Sequence, residues 1–151
     1  MKILAQNKYA LYSYEPLENF TAGIILNGWE VKSLKDGRAS LKESYIAMRG
    51  DRLFLIGASV SAWPGVKVTS IEQARERELL LHKNEVLQVE KGLKVRGNTA
   101  VVIDIVLERN KIKVRFAVAR GKKLYDKRSK LKELDQKRDI ARDLKHYNMI
   151  K

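Results

Sequence analysis

The sequence contains no cysteine and only two histidines. The lack of cysteine excludes a disulfide framework and any zinc site built on thiolates. His82 and His146 do not belong to any specific Ser–His–Asp grouping, and for His82 a structural or surface role is favoured over catalysis. The glycine motifs that hold phosphates, G-x-x-x-x-G-K-[ST] and G-x-G-x-x-G, are also absent. The sequence therefore predicts a protein that is not an enzyme and needs no cofactor.

Long apolar runs are missing as well. The longest one, near Val101, is interrupted by Asp104, whereas a membrane-spanning helix needs about 20 consecutive apolar residues. The first residues, Met1 to Asn7, lack the apolar segment of a secretory signal. We therefore expect a cytoplasmic protein with no membrane partner.

Negative charge is scarce relative to positive charge. The chain has 31 Lys and Arg against 18 Asp and Glu, a net charge of +13. Residues 120–151 alone hold 12 basic and 5 acidic side chains, a net charge of +7. Such an excess suits a polyanion, because each neutralised phosphate releases condensed counterions. The distribution predicts a nucleic-acid-binding body followed by a basic tail.

Apolar periodicity and turn residues predict about six strands and a few short helices. Asn27 with Glu30 resembles a helix-capping pair, so we expect a short helix over 28–36 that ends at Gly37. Ser70 with Gln73 predicts a second helix that runs through Leu87, with a break near His82. The predicted strands cover 9–14, 22–26, 45–48, 53–56, 99–107 and 111–119.

The last predicted strand has two different faces. Ile112, Val114, Phe116 and Val118 share one face by the period of two, and Lys113 and Arg115 fall on the other. We expect the second face to be solvated and cationic. A solvated charged face is also expected for Arg75, Arg77 and their acidic neighbours on the second helix.

These elements do not alternate as βαβ units would. The predicted fold class is therefore mainly β with short helices, with antiparallel strands closing wholly or partly into a barrel so that few edges stay exposed.

The stretch Gly121-Lys122-Lys123-Leu124-Tyr125-Asp126-Lys127-Arg128 places four cations and one aromatic residue directly after that strand. Lys and Arg can neutralise phosphates while an exposed Tyr stacks on an unpaired base. Alternatively, the stretch is the end of a strand whose Tyr covers the barrel rim and whose lysines are solvated. Composition alone leaves both interpretations open.

The octapeptide resembles the signature of the SsrA-binding protein family (small protein B, the protein partner of transfer-messenger RNA). Other stretches resemble the family in the same order, so that the likeness spans roughly residues 7–128. These stretches are Asn7-Lys8, Ala22-Gly23-Ile24, Gly28-Trp29-Glu30-Val31-Lys32-Ser33-Leu34, Leu79-Leu80-Leu81-His82-Lys83 and Val118-Ala119-Arg120-Gly121.

The sequence also departs from the family pattern. Thr21 stands where the family usually has an acidic residue, and Tyr9 and Tyr12 replace residues that are often basic or His. Residues 72–78 differ from the usual Asp-Pro-x-Arg-x-Arg-Lys. These differences bear on the detail of the RNA contact.

The resemblance implies an OB-like antiparallel β-barrel with flanking helices over residues 1–128. It implies a basic C-terminal tail over 129–151, disordered when free and helical on the ribosome. The implied function is to bind the tRNA-like domain of transfer-messenger RNA and deliver it to the A site of stalled ribosomes for trans-translation. Alanyl-charged RNA and elongation factor Tu with GTP would travel in the same complex with a monomeric protein.

The expected RNA-binding residues of the barrel are Asn7, Lys8, Leu80, Lys113 and Arg115. The resemblance assigns a second set to the decoding centre of the small-subunit rRNA, and the rest of the tail to the messenger channel. That second set comprises Gly121, Lys122, Lys123, Tyr125, Asp126, Lys127 and Arg128.

Two other classes of protein are compatible with part of the sequence. A ribosomal or initiation-factor-like OB protein that binds rRNA would have the same basic charge, but it does not account for the 124–128 pattern. A nuclease on a barrel scaffold would need acid–base or metal-binding residues that the sequence does not group.

Overall fold

The computed structural model describes residues 1–121, and in this part of the chain it contains nine strands and four short helices. The helices are α1 (Ala10–Ser13), α2 (Gly28–Lys35), α3 (Ser70–Gln73) and α4 (Lys83–Lys94). The strands are β1 (Lys2–Gln6), β2 (Tyr14–Ile24), β3 (Ala39–Ser40), β4 (Tyr45–Arg49), β5 (Arg52–Ile56), β6 (Ser59–Val60), β7 (Arg77–Leu80), β8 (Asn98–Glu108) and β9 (Lys111–Gly121). The prediction of a mainly β fold with short helices is confirmed.

Besides a two-stranded sheet of β3 and β6, the strand pairings form one antiparallel sheet of seven strands. Its order is β1-β8-β4-β5-β7-β2-β9, and β9 pairs again with β8. The pairings therefore lead from β8 through β4, β5, β7 and β2 to β9 and back to β8. Strands β4 and β1 pair with the same edge of β8 at different positions. Ile46 of β4 lies opposite Ala100, and β1 pairs farther along, at 104–107.

Two predicted hairpins are confirmed. Strands β8 and β9 turn at Arg109 and Asn110, which both have positive φ, 49° and 64°. A two-residue turn with positive φ at both positions matches the twist of the flanking strands. Strands β4 and β5 turn at Gly50 and Asp51, and Gly50 supplies the positive φ there.

The helix predicted over 28–36 is confirmed as α2. The backbone N–H of Asn27 donates to Glu30 Oε1 at 2.7 Å, which is half of the expected capping box. Leu34 is fully buried, and Gly37 follows the helix with a φ of 75°.

The strand predicted over 9–14 is wrong. Residues 9–13 form a turn and α1, and only Tyr14 is extended, as the first residue of β2. Pro16 lies inside the long strand β2, where the pairing with β9 shifts register between Pro16 and Glu18. Such an irregularity accommodates a residue that has no N–H to donate.

The single long helix predicted from Ser70 is also wrong. Only Ser70–Gln73 are helical, and β7 separates them from α4. In β7 the burial alternates, since Arg77 and Leu79 are buried whereas Glu78 and Leu80 are not. The period of two places β7 between β5 and β2, and this tertiary pairing overrides the helical propensity of the leucine run.

The main hydrophobic core combines buried residues of the seven-stranded sheet with Leu34 of α2 and Val89 of α4. Phe20 of β2 and Phe116 of β9 lie opposite each other, with ring centroids 5.4 Å apart. Helix α4 packs closely on β9, because a Cβ on Gly92 would lie 2.8 Å from Cγ1 of Val118. None of the helices described within residues 1–121 is long and apolar enough to cross a bilayer.

Candidate nucleic-acid interface

Strand register brings two of the expected RNA-binding residues together. Gly23 of β2 lies opposite Leu80 of β7 on one side and opposite Lys113 of β9 on the other. Leu80 is 54% exposed although it is apolar, and Lys113 is partly exposed. Leu80 and Lys113 therefore flank a glycine on three neighbouring strands.

Gly23 keeps the surface between these side chains open. A Cβ on Gly23 would contact Cβ of Leu80 at 3.4 Å. Two adjoining clefts share Gly23, Leu80 and Lys113, with volumes of about 370 and 350 Å³. The absence of a side chain at this position thus leaves room for a ligand group next to both predicted contacts.

The lining of the larger cleft combines apolar residues with three lysines. Ile24, Val31 and Ile112 contribute apolar surface, and Lys35 and Lys111 join Lys113 in the lining. Lysines suit phosphate oxygens as point charges, and apolar surface suits a base or a ribose. We define Gly23, Leu80, Lys111 and Lys113 with Lys35 as the lysine-edged surface.

Arg115 does not behave as a freely solvated cation. Its Nε donates to Oδ1 of Asp104 at 2.6 Å, and its Nη2 donates to Oδ2 of the same carboxylate. Asp104 is almost fully buried, so its charge needs this partner. The hydrogen bond to Asp104 raises the pKa of Arg115, which burial lowers only in part. Lys113 and Arg115 are both partly exposed, as expected for the cationic face of β9, but the charge of Arg115 is paired with Asp104.

Asn7 and Lys8 lie at the end of β1. The Asn7 side chain donates to the Val102 carbonyl at 3.0 Å, and Lys8 is exposed. Gln6, which precedes Asn7, is in register with Asp104, and Asp104 is in register with Arg115. The expected RNA-binding residues of the barrel therefore lie after β1, on β9 and on β7. These strands are connected by pairing through β8 and β2.

Gly121 ends β9 opposite Tyr14 and is exposed. The other residues expected at the decoding centre lie outside the described residues, as does the tail over 129–151. They are Lys122, Lys123, Tyr125, Asp126, Lys127 and Arg128.

Residues 4–146 match the family model described as SmpB protein. An SsrA-binding protein of Fusobacterium nucleatum is 40% identical over 146 residues, which cover 97% of this chain and 99% of the relative. The chain belongs to the SmpB family. The resemblance inferred from the sequence is thereby confirmed.

Further comparisons agree with this membership. An SsrA-binding protein of Rickettsia bellii is 42% identical over 142 residues, covering 93% of this chain and 94% of the relative. A solved chain presented as "tmRNA-SmpB: a journey to the center of the bacterial ribosome" superposes with a TM-score of 0.67 at 34% identity. That match covers 82% of this chain and 87% of the solved one.

Sequence reasoning missed an ion-pair network that joins α2 to β7. Glu30 of α2 is fully buried and accepts hydrogen bonds from Arg77 of β7 and from Arg75. Arg77 is 1% exposed and also donates to the carbonyls of Gln73, Arg75 and Ala58 at 2.9–3.2 Å. The expectation that Arg77 lies on a solvated face is wrong, because its guanidinium is enclosed by acceptors.

Burial raises the pKa of Glu30, but hydrogen bonds from Arg75, the Asn27 backbone and Arg77 outweigh burial, so the pKa lies below the ordinary 4.5. Burial lowers the pKa of Arg77, and the Glu30 carboxylate offsets this only in part. Both groups remain charged at neutral pH. The network fixes β7 against α2, and β7 carries Leu80 three residues after Arg77.

His82 is the N-cap residue of α4, and its backbone N–H donates to Glu85 Oε1 at 3.3 Å. Both residues also line the smaller cleft beside Leu80. The capping spacing is readable in the sequence, since Glu85 follows three residues after His82.

Proposed function

We propose that this chain binds the tRNA-like domain of transfer-messenger RNA and delivers it to the A site of stalled ribosomes for trans-translation. Membership of the SmpB family supports the proposal, as does the likeness to a chain presented with tmRNA and the bacterial ribosome. The structural observation that carries it is the alignment of Leu80, Gly23 and Lys113 across β7, β2 and β9.

The lysine-edged surface fits a folded RNA better than a base sequence. Lys35, Lys111 and Lys113 offer positive charge to phosphates, while the partly exposed apolar residues accept a base or a ribose. A protein reads a folded RNA mainly by shape and by backbone contacts. Asn7 and Lys8 extend this contact at the end of β1, and Arg115 contributes mainly by holding Asp104.

An OB-like barrel is part of the proposal. The return of the pairings from β9 to β8 supports a sheet closed upon itself, which leaves few edges exposed. We place the barrel and its flanking helices in residues 1–128, and the basic tail in 129–151. Residues Gly121 to Arg128 would contact the decoding centre, and the tail would enter the messenger channel.

The remaining partners follow from the same role. Alanyl-charged RNA and elongation factor Tu with GTP would join the complex with one copy of this chain, in the cytoplasm. The chain would act by binding and positioning RNA, with no reaction of its own.

A filter-binding titration on the tRNA-like domain tests the barrel contact. Lys113→Ala is expected to weaken binding about tenfold and to reduce the salt slope by about one, because one phosphate contact is lost. Leu80→Ala is expected to weaken binding without changing the slope, because Leu80 carries no charge. Lys67→Ala removes an exposed lysine outside both clefts and serves as the matched control.

Two outcomes would contradict the proposal. Equal effects of Lys113→Ala and Lys67→Ala would mean that only diffuse charge attracts the RNA. Equal affinity of the unchanged chain for the tRNA-like domain and for a simple hairpin of the same length would mean that no folded shape is recognised.

A further inference from the structure

A third cleft lies at the end of β1, away from Leu80. It has a volume of about 350 Å³, and segments 7–14, 43–45 and 99–101 contribute its lining. Its lining includes Asn7, Tyr9, Tyr14, Glu43 and Tyr45. We call it the tyrosine cleft.

Two of its tyrosines are exposed. Tyr9 is 62% exposed and Tyr45 is 47% exposed. Tyr14, by contrast, packs against the small buried cluster that includes Ala10 and Val101. Exposed tyrosines that line a cleft offer flat aromatic surface on which an unpaired base can stack.

The cleft has a polar side with one acidic residue and no cation in its lining. Glu43 has a φ of +65°, which is uncommon for a residue other than glycine. Its backbone is held closely, since a Cβ on Gly57 would lie 2.7 Å from the Glu43 carbonyl oxygen. The Asn7 side-chain amide donates to the Val102 carbonyl at 3.0 Å.

This combination argues against phosphate as the group inside the cleft. A carboxylate accepts hydrogen bonds and repels phosphate, whereas base edges carry N–H donors. Guanine presents two such donors side by side, N1–H and N2–H, to a single carboxylate. Lys8 and Lys42 are exposed and directly precede Tyr9 and Glu43 in the chain, where they suit the phosphates on either side of a base.

We propose that the tyrosine cleft takes one unpaired nucleobase of a bound RNA, with a preference for guanine. The base would stack on Tyr9 and Tyr45, and its N1–H and N2–H would donate to Glu43. The proposal rests on the proposed function in one respect, namely that RNA is the polymer that brings the base.

The cleft is tested with free nucleotides on the full chain. GMP, AMP, CMP, UMP and inorganic phosphate are each titrated while backbone amide signals are followed by NMR. GMP is expected to shift amides of lining residues such as Ser44 and Thr99 in a saturable way, with AMP weaker. Tyr45→Ala and Tyr9→Ala should each weaken GMP binding about tenfold, whereas Tyr45→Phe and Tyr9→Phe, which keep the rings, should stay within about twofold.

Two further variants give the test its controls. Glu43→Gln should weaken GMP binding about tenfold and leave AMP unchanged, because only guanine donates two N–H groups to the carboxylate. Tyr12→Ala changes a tyrosine of α1 that does not line the cleft, and it should leave GMP binding unchanged. Amide signals that keep their unliganded dispersion show in each case that the variant is folded.

The inference is overturned if inorganic phosphate causes the same shifts as GMP, or if no nucleotide perturbs the lining residues. It is also overturned if Tyr12→Ala weakens GMP binding as much as Tyr45→Ala. Titration of the tRNA-like domain on the same samples separates the two proposals. RNA binding without a cleft response removes only the cleft, whereas loss of preference for that RNA removes the proposed function.

Discussion

Arg77 of β7 and Glu30 of α2 form an ion pair in which both side chains are buried, 47 residues apart in the sequence. The pair joins the helix that follows β2 to the strand that carries Leu80. Arg75 adds a second guanidinium to the same carboxylate, with its Nε 3.2 Å from Glu30 Oε1. A single acidic side chain thus joins one helix and one strand of the lysine-edged surface, α2 with Lys35 and β7 with Leu80.

Replacing Glu30 with Gln should destabilise the protein by about 3–5 kcal/mol, because Arg77 would keep its charge in a buried site without a counter-charge. Urea unfolding at pH 7 measures the change. Glu18→Gln removes an exposed carboxylate on β2 and should cost less than about 0.5 kcal/mol. Equal midpoints for Glu30→Gln and the unchanged chain would show that the buried pair contributes nothing.

The Glu30 contribution should depend on pH. Its pKa in the folded chain lies below the ordinary 4.5, because the hydrogen bonds from Arg75, Asn27 and Arg77 outweigh burial. A lowered pKa contributes stability that is present above about 4.5 and is lost as pH falls through the folded pKa. The difference in unfolding free energy between the unchanged chain and Glu30→Gln should therefore be constant from pH 7 to 5 and shrink below 4.5. A difference that grows on acidification would contradict the sign of the shift.

Arg115 should matter more for stability than for the charge presented to RNA. Arg115→Ala leaves the Asp104 carboxylate buried without its bidentate partner, at a cost of about 2 kcal/mol. Lys111→Ala on the same strand removes an exposed side chain that has no ion pair among residues 1–121, and should be near neutral. Thermal unfolding measures both. The salt dependence of RNA binding is measured on the same folded variants. If Arg115→Ala reduces it as much as Lys113→Ala does, Arg115 contacts phosphate.

The elements that the sequence predicted correctly are those with local causes. The turns need positive φ at Arg109 and Asn110 in one hairpin and at Gly50 in the other, and the start of α2 needs Asn27 and Glu30 three residues apart. Each of these signals is contained within a few residues. Local chemistry is therefore enough to specify these elements from the sequence.

The elements that the sequence predicted wrongly have distant causes. The leucine run at 79–81 has helical propensity, yet β7 extends because β5 and β2 supply partners on both sides. Arg77 looks like a surface residue until Glu30 is placed beside it. A window of a dozen residues around β7 contains neither the partner strands β5 and β2 nor Glu30.

The candidate site was predicted by resemblance rather than by periodicity. Lys113 was readable as the outward residue of β9, but its proximity to Leu80 depends on Gly23 lying between them in register. Asp104 was noted only as an interruption of an apolar run, and its pairing with Arg115 follows from an irregular register between β8 and β9. Contacts of this kind require the three-dimensional pairing.

The last prediction separates the barrel from the tail. The expected barrel contacts, from Asn7 to Arg115, all lie within residues 1–121, so a chain cut after Ser129 should bind the tRNA-like domain within a few-fold of the full chain. It should fail to support tagging of peptides on stalled ribosomes, because residues 130–151, with their excess of Lys and Arg, are proposed to occupy the messenger channel.

Changing Asp126, Lys127 and Arg128 together to Ala should have the same consequence as the truncation, and Tyr125→Ala should be equal or milder. An RNA-binding titration run beside an in vitro tagging reaction on a message without a stop codon measures both functions. Lys67→Ala provides a matched loss of one charge elsewhere and should leave tagging intact. The two-part mechanism is wrong if the truncated chain tags normally, or if RNA binding and tagging decline in parallel, since either result would place both functions in one part of the chain.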